Sequence, residues 1–506
     1  MPEAAAIRRV ALLSAALLLV RIASAAVVTQ PGYTDAYYYA DVASRLARGE
    51  GLSADFVWNF LEAPGYASLP VASHRFWMPL ATAIQASGIV LLGPALGDFR
   101  ASQAAIIAVA ALVPAATYAA ARALGVASGG AIAAAAVVGL GGLFAPAWVS
   151  LDAFAPAALV GTLFFTAYGR AAAGSVRYGA VAGVLVGILY LARAEGALFG
   201  LALLALFGAG RSRRAAATGA VAALAIGGAW LARDLAVSLP PDLAARTVLL
   251  VRYEDFFAVA SPSLAAFGAA LGEALAAKPA AMLTNALTAF FAFLVLLGPV
   301  AAAGTGWLWR RPEVRAWAGL LAIVFVAESV VWTLHSTRGS YFHSLAAFFP
   351  FGVALAAAGG ERLLAGRGTA LARAWTAGAL LVSVVLSAGA MAQWDATFGA
   401  GARARTAVLD ALPAGPFLAI DGAAWRWLSG RSAIVTPADG VGAAACAVAR
   451  YGVRALVLEE AHFRAYDDLY SGRARPSWLG EPVVRGAVRV YPITASPPVA
   501  DCAAAR

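Results

Sequence analysis

Eleven apolar runs separated by arginine-bearing hinges leave this chain few choices of fold. They lie near 10–28, 102–121, 128–148, 154–170, 178–192, 196–210, 217–232, 281–304, 316–334, 344–359 and 374–391. Inside a bilayer every backbone N–H and C=O must find its partner within the protein, so such runs form helices. Some are shorter than the roughly 20 residues of a perpendicular crossing. Only 13% of the 506 residues are charged, against about 25% in soluble domains. The expected fold is mainly α, a polytopic transmembrane helix bundle of about eleven spans.

The formal charge of +10 comes almost wholly from arginine, with Lys278 the only lysine. The arginines are scattered among membrane hinges, not gathered on one face, which speaks against nucleic acid as a partner. Cytoplasmic anchoring is their expected use. The apolar segment 79–96 decides the topology. If it lies along the outer interface, Arg8, Arg9, Arg122, Arg170, Arg213 and Arg362 share the cytoplasmic side. Asp35, Asp41, Glu62, Asp152 and Asp234 then fall outside. If it spanned, the later arginines would face outward. The interfacial reading leaves two long outer loops, 29–101 and about 233–280. The first carries helices at 35–48 and 79–93 that lie on the membrane. Arg8 and Arg9 precede a run long enough to stay in the bilayer, so no cleavable leader is expected.

From about 395 the chain gains charge, prolines and short alternating runs. Phe417–Asp421, Ala433–Thr436, Ala455–Leu458 and Val483–Tyr491 read as strands, with a helix over Gly440–Tyr451. The expected organisation is a transmembrane catalytic domain over 1–394 and an extracytoplasmic α/β domain over 395–506. Cys446 and Cys502 are the only cysteines, so neither a zinc cluster nor a disulfide scaffold is available. The two could pair outside the cell; a buried free Cys446 is the favoured reading.

Tyr33, Asp35, Tyr37, Tyr38, Tyr39 and Asp41 follow the first span closely. Asp35 and Asp41 do not share a helix face, so one can point inward while the other meets water. A carboxylate under membrane helices and beside aromatic rings suits a base acting on a sugar hydroxyl. A solvated acid at the start of a helix is the plainer use. Trp58, Trp77 and the three consecutive tyrosines form either an aromatic belt or a stacking surface for a sugar.

The stretch Asp35–Leu52 resembles the first external loop of the GT-C glycosyltransferases, which include the protein O-mannosyltransferases and the lipid A aminoarabinose transferases. His74, Trp77, Pro79 and Leu80 resemble the opening of the second interfacial helix in such enzymes. Ala229–Asp234 is similar to their Pro-Trp-x-x-Arg-Asn motif, with Asp234 where Asn is usual. Arg252–Phe256, His335–His343 and the small C-terminal domain resemble uncharacterised bacterial members. The resemblance implies many spans, a polyprenyl-phosphate-sugar donor, and an acidic base in the first loop, placed at Asp35. Relatives carry a Glu shortly before a proline pair; here stand His74, Arg75 and a single Pro79. Glu62 and His74 are therefore the candidates for the secondary acidic role. The implied setting is a bacterial inner membrane, with active site and C-terminal domain facing outward. The implied acceptor is a glycan, lipid or protein. No cofactor is required, and a divalent cation stays open.

A polyprenyl phosphate needs a planar, permanently charged partner, which suits Arg233 at the outer end of a span; an interfacial anchor is the plainer use. His335, Arg338 and His343 crowd one short outer loop, which points to an anion site or a metal; no third ligand is spaced for a metal alone. Arg193 and Glu195 read as an ion pair that also serves as an acceptor or sugar contact, alongside Asp41, Glu62, His74, Tyr38 and Trp77. Arg21 and Glu328 lie within spans, where ionisable groups usually face the interior; Arg21 is near enough to the outer face to snorkel there. The reading is an inverting glycosyltransferase. The alternative is a transporter or flippase of a lipid-linked sugar, whose polar groups belong near mid-bilayer at broken helices in matching halves. Here most polar groups sit at the outer mouth.

Overall fold

The computed structural model describes residues 2–208, 210–237 and 246–498, and the chain divides into two compact units. One comprises Met1–Thr29, Trp77–Ala236 and Lys278–Trp394; the other comprises Gln30–Phe76, Val237–Ala277 and Asp395–Arg506.

The first unit is helical. Among the described residues five helices are long and apolar enough to cross a membrane: Ala5–Val27, Leu80–Ala123, Gly210–Val237, Pro312–Val331 and Thr369–Ala411. The number rises to seven if each of two bent pairs counts as one crossing. Ser128–Leu140, Val176–Ala192 and Ala194–Gly208 are apolar but shorter. The eleven expected spans thus resolve into fewer full-length crossings and several short helices. Leu80–Ala110 breaks at Gly97 (φ 72°, ψ 160°), which separates its first part from the run that follows. The run 281–304 is not one straight span: Leu271–Ala292 and Leu297–Trp307 meet at 89°, with Leu294 and Val295 both at positive φ.

Small residues set the helix spacing, because lipid offers no hydrophobic drive between apolar helices. Gly179 and Gly183 lie against Ala215 and Gly219, while Gly304 and Gly359 lie against Leu355 and Val300, with no room for a Cβ at any of the four glycines. The segment carrying His335, Arg338 and His343 is helical, where the sequence suggested a short loop. Its turns are Thr333–His335, a wide turn Ser336–Ser340 and Tyr341–Leu345. Gly339 at φ 115° lets the helix unwind and re-form within one run.

The second unit is built on a six-stranded sheet. Its strands are β2 (Phe56–Val57), β4 (Phe417–Ala419), β5 (Ala433–Val435), β6 (Ala455–Leu458), β7 (Val483–Arg485) and β8 (Val488–Pro492), in the order β2-β5-β4-β6-β8-β7. The first four are parallel; β8 and β7 continue antiparallel. A two-stranded ribbon of β1 (Ser53–Ala54) and β3 (Val71–Ala72) stands beside it in sequence. Every residue of β4, β5 and β6 is buried, as expected of parallel strands covered on both faces. The segment 483–491, read as one strand, is a hairpin turning at Gly486 (φ 59°). The helix Val441–Tyr451 forms as expected. Cys446, expected as a free thiol, is disulfide-bonded; Cys502 lies outside the described residues.

Strand β2 comes from the first outer loop, and Gly422 permits its approach. A Cβ at Gly422 would lie 2.5 Å from the Val57 carbonyl oxygen and 3.2 Å from that of Ala433. Gly422→Ala is therefore expected to lower stability by about 1–3 kcal/mol, read as an earlier unfolding midpoint of the purified protein in detergent. An unchanged midpoint would mean that β2 is not pinned there.

Candidate functional site

In the second unit the helix Thr34–Ala47 carries Asp35 in its first turn, half-buried. Ten consecutive residues behind it, Ala36 to Arg45, are buried. Tyr38 is a core residue, not an exposed sugar platform. Its ring meets Phe56, Trp58 and His74 edge-on at 5.5, 6.4 and 5.3 Å. Its hydroxyl accepts the His74 backbone N–H at 2.5 Å. Tyr39 stacks on the His74 ring. Glu62 is buried too: its Oε2 accepts the Trp58 indole N–H at 2.7 Å, and its carbonyl accepts Arg75. Tyr38, Glu62 and His74 are thus brought together, in an aromatic and hydrogen-bonded floor beneath the Asp35 helix.

Asp41 is turned to a different task. It is 6% exposed and faces Arg426 at 3.6 Å, on the helix Gly422–Ser429. Arg426 also faces Asp55 at 3.8 Å. Burial pushes the Asp41 carboxyl up to about 6, while Arg426, Arg45 and Arg48 pull it down. Burial wins because Arg426 stands beyond hydrogen-bond length and the Asp41 Oδ2 has no hydrogen-bond partner among the described residues. Asp41 thus faces the helix Gly422–Ser429 from the helix that carries Asp35.

In the helical unit, His343 is brought to Asp152, a residue that sequence reasoning counted only as an outer acid. His343 Nε2 lies 3.0 Å from Asp152 Oδ2 and Nδ1 lies 2.8 Å from the Gly339 carbonyl. A carbonyl only accepts, so Nδ1 carries a proton. Phe154 stacks on the imidazole at 4.1 Å, and Asp152 is fully buried. Imidazole and carboxylate are both metal-ligand types. Asp152 stands alone in the hinge between the runs 128–148 and 154–170, and that isolation was its only signal.

Arg193 and Glu195 form the expected ion pair through Nε. The pair belongs to a larger network: Arg193 Nη2 reaches Ser340 Oγ at 3.1 Å, and Ser344 Oγ lies 2.5 Å from Glu195 and 2.8 Å from Glu328. Glu328, without a role in sequence terms, joins there. Arg233 holds its guanidinium 4.8 Å from the centre of the Trp230 ring. Arg338 is exposed, His335 and Trp77 half-buried. Arg21 does not reach out to the face of the bundle: it is 2% exposed, and its guanidinium has no hydrogen-bond partner among the described residues.

No protein-family profile and no curated protein matches the chain. Solved structures do match in fold. ArnT from Cupriavidus metallidurans bound to undecaprenyl phosphate aligns at TM-score 0.55 and 14% identity over 96% of this chain and 98% of that one. The oligosaccharyltransferase AglB from Archaeoglobus fulgidus, in complex with an inhibitory peptide and a dolichol-phosphate, aligns at 0.56 and 13% over 88% and 69%. The same enzyme tethered to an acceptor peptide aligns at 0.53 and 15%. The chain has the fold of the GT-C membrane glycosyltransferases.

The raised Asp41 carboxyl makes a pH prediction. The folded state binds this proton more tightly than the unfolded chain, whose carboxyl titrates near 3.8. Its contribution to stability is thus fully present below about 4 and lost as pH rises through about 6, with a span of about 3 kcal/mol. Asp41→Asn, which mimics the neutral acid, is expected to be more stable than wild type at pH 7.5 and to converge with it near pH 4. Parallel melting curves at all pH values would contradict this.

Proposed function

We propose that this chain is an inverting glycosyltransferase of the outer face of a bacterial cytoplasmic membrane, moving a sugar from a polyprenyl-phosphate donor to an acceptor hydroxyl. The observation that carries the reading is the setting of Asp35. It is a half-buried carboxylate in the first turn of a helix whose remaining face is locked into a rigid core. That is the setting a general base needs, since it must keep one position while remaining reachable by a substrate proton. The fold supports it, being that of enzymes solved with a polyprenyl phosphate and with an acceptor peptide.

In this reading the Asp35 carboxylate removes the acceptor proton as the acceptor oxygen bonds to the anomeric carbon. The bond from that carbon to the phosphate oxygen breaks, and its electron pair leaves with the polyprenyl phosphate. Attack opposite the leaving group inverts the centre. Negative charge grows on the departing phosphate, and Arg233, Arg338, His335 and His343 are the groups assigned to meet it. Stacking on Trp230 fixes the plane of the Arg233 guanidinium, which suits a two-point phosphate contact. Asp152 orients the His343 imidazole. Trp77 and the Arg193–Glu195 pair are assigned to sugar or acceptor, and the 395–506 segment to the outer face.

Radiolabelled sugar transfer from defined polyprenyl-phosphate donors by the purified protein tests this directly. Asp35→Asn is expected to lose about 10²- to 10⁴-fold in turnover; equal turnover would remove Asp35 as the base. Arg233→Ala is expected to weaken donor use far more than Arg233→Lys, read as kcat/KM for the donor. Equal losses would assign Arg233 to shape alone.

A further inference from the structure

The Asp35 helix starts without a side-chain cap. Tyr33 stands at its N-cap, where Ser, Thr, Asp or Asn is usual; its carbonyl accepts the Tyr37 N–H at 3.1 Å, and its side chain makes no capping bond. Thr34, the first helical residue, sends its hydroxyl to Asp421 Oδ2 at 3.1 Å, a partner 387 residues away. Asp421 is itself fixed twice more. Its Oδ1 accepts the Ala424 N–H at 3.2 Å, capping Gly422–Ser429, and its Oδ2 accepts Arg405 Nη1 at 3.3 Å. Arg405 Nε lies 3.1 Å from both oxygens of Glu459, and Glu459 Oε1 accepts the indole N–H of the fully buried Trp425 at 2.7 Å. On the other side of Asp35, Gln30 Oε1 accepts the Tyr37 hydroxyl at 2.6 Å and the Gly32 N–H at 2.5 Å. Asp35 therefore sits between two tethers, one residue after Thr34 and two before Tyr37.

We propose that Arg405, Asp421 and Glu459, acting through Thr34, are positioning residues for the Asp35 carboxylate, so that the C-terminal α/β segment sets the geometry of transfer. This rests on the reading of Asp35 as the base. Thr34 shares a peptide bond with Asp35, so a loosened helix start displaces the carboxylate. The tether is charge-assisted along its length, which makes it directional. No side-chain capping bond from Tyr33 shares this task. A misplacement on the order of 1 Å is enough to cost about 10²-fold in rate.

Two substitutions separate the hydroxyl from the side-chain shape. Thr34→Val keeps the shape and removes the donor; Thr34→Ser keeps the donor. With the full-length protein and a defined polyprenyl-phosphate sugar, T34V is expected to lose kcat by about 10- to 100-fold with donor KM within about twofold. T34S is expected to stay near wild type, and Asp421→Asn to behave like T34V. Deuterium exchange of amides 31–39, measured in detergent without substrate, is expected to quicken in T34V and not in T34S. Asp35→Asn is assayed alongside. If D35N is inactive and T34V keeps its kcat, the positioning role is overturned and the base stands. If D35N is fully active, the base reading fails and exchange alone judges the tether, with unchanged protection in T34V overturning it. Equal losses in T34V and T34S, or a raised KM with kcat intact, also overturn it.

Discussion

A charge withdrawn from water is costly unless its hydrogen-bonding groups are met, and around Arg193 this requirement shapes the interior of the helical unit. Arg193 lies with two carboxylates, Glu195 and Glu328, and two serines in one closed circuit. Ser344 has a single hydroxyl proton but faces both carboxylates and the Ser340 carbonyl. No member can rotate away without leaving another unmet. The circuit therefore pins the turns Ser336–Ser340 and Tyr341–Leu345, and with them His343 against Asp152. His343 is thus held through polar neighbours, two of which, Arg193 and Glu195, are themselves assigned to sugar or acceptor in the proposed reaction.

The second unit answers the same requirement by different means. Its charged groups are braced by strands and by an aromatic core, and the bracing reaches across long stretches of sequence. Ser432 bonds Asp55, Arg450 bonds the Tyr66 carbonyl, and Tyr66 bonds the Ala443 carbonyl. The segment 30–76 is thus an integral part of the fold that carries the C-terminal sheet. Its short strand β2 could not persist alone, because two residues bury too little surface to offset their ordering. It exists because β5 and the bare face of Gly422 receive it.

Much of this was legible beforehand because periodicity and composition are local signals. The apolar runs, the helix over 34–47, the helix over 441–451 and strand β6 all follow from residues within one turn or one strand of each other. The hairpin at Gly486 was missed because a lone glycine inside an apolar run reads equally well as a bulge. The bend at Leu294 and Val295 left no mark, since branched residues at positive φ are held by packing against local preference. That Asp41 and Tyr38 are buried was not legible, because polar and aromatic groups after a span read equally well as exposed. Their burial depends on β2, β3 and the helix Gly422–Ser429, which only long-range pairing brings together. Asp152 was underrated for the converse reason: a lone acid in a hinge is unremarkable until its histidine, 191 residues on, is seen beside it.

The bent helices bear on the choice between transfer and transport. A transporter places its broken helices where unwound backbone and polar side chains hold substrate near the bilayer midplane. In this chain the break between Leu271–Ala292 and Leu297–Trp307 is lined by Phe293, Leu294 and Leu297, all buried. The break before Phe349–Leu363 carries Ala346, Ala347 and Phe348, also buried, with Trp317 donating to the Phe348 carbonyl. Backbone N–H groups at these two points bond carbonyls of the same run, Leu297 N to Phe293 at 3.2 Å and Phe348 N to Leu345 at 3.0 Å. Arg193, Glu195, Glu328, Asp152 and His343 instead engage one another in the Arg193 circuit and the His343–Asp152 pair. Breaks of this kind re-aim helices, and in the proposed reading what they aim is a set of side chains held to meet charge at one place.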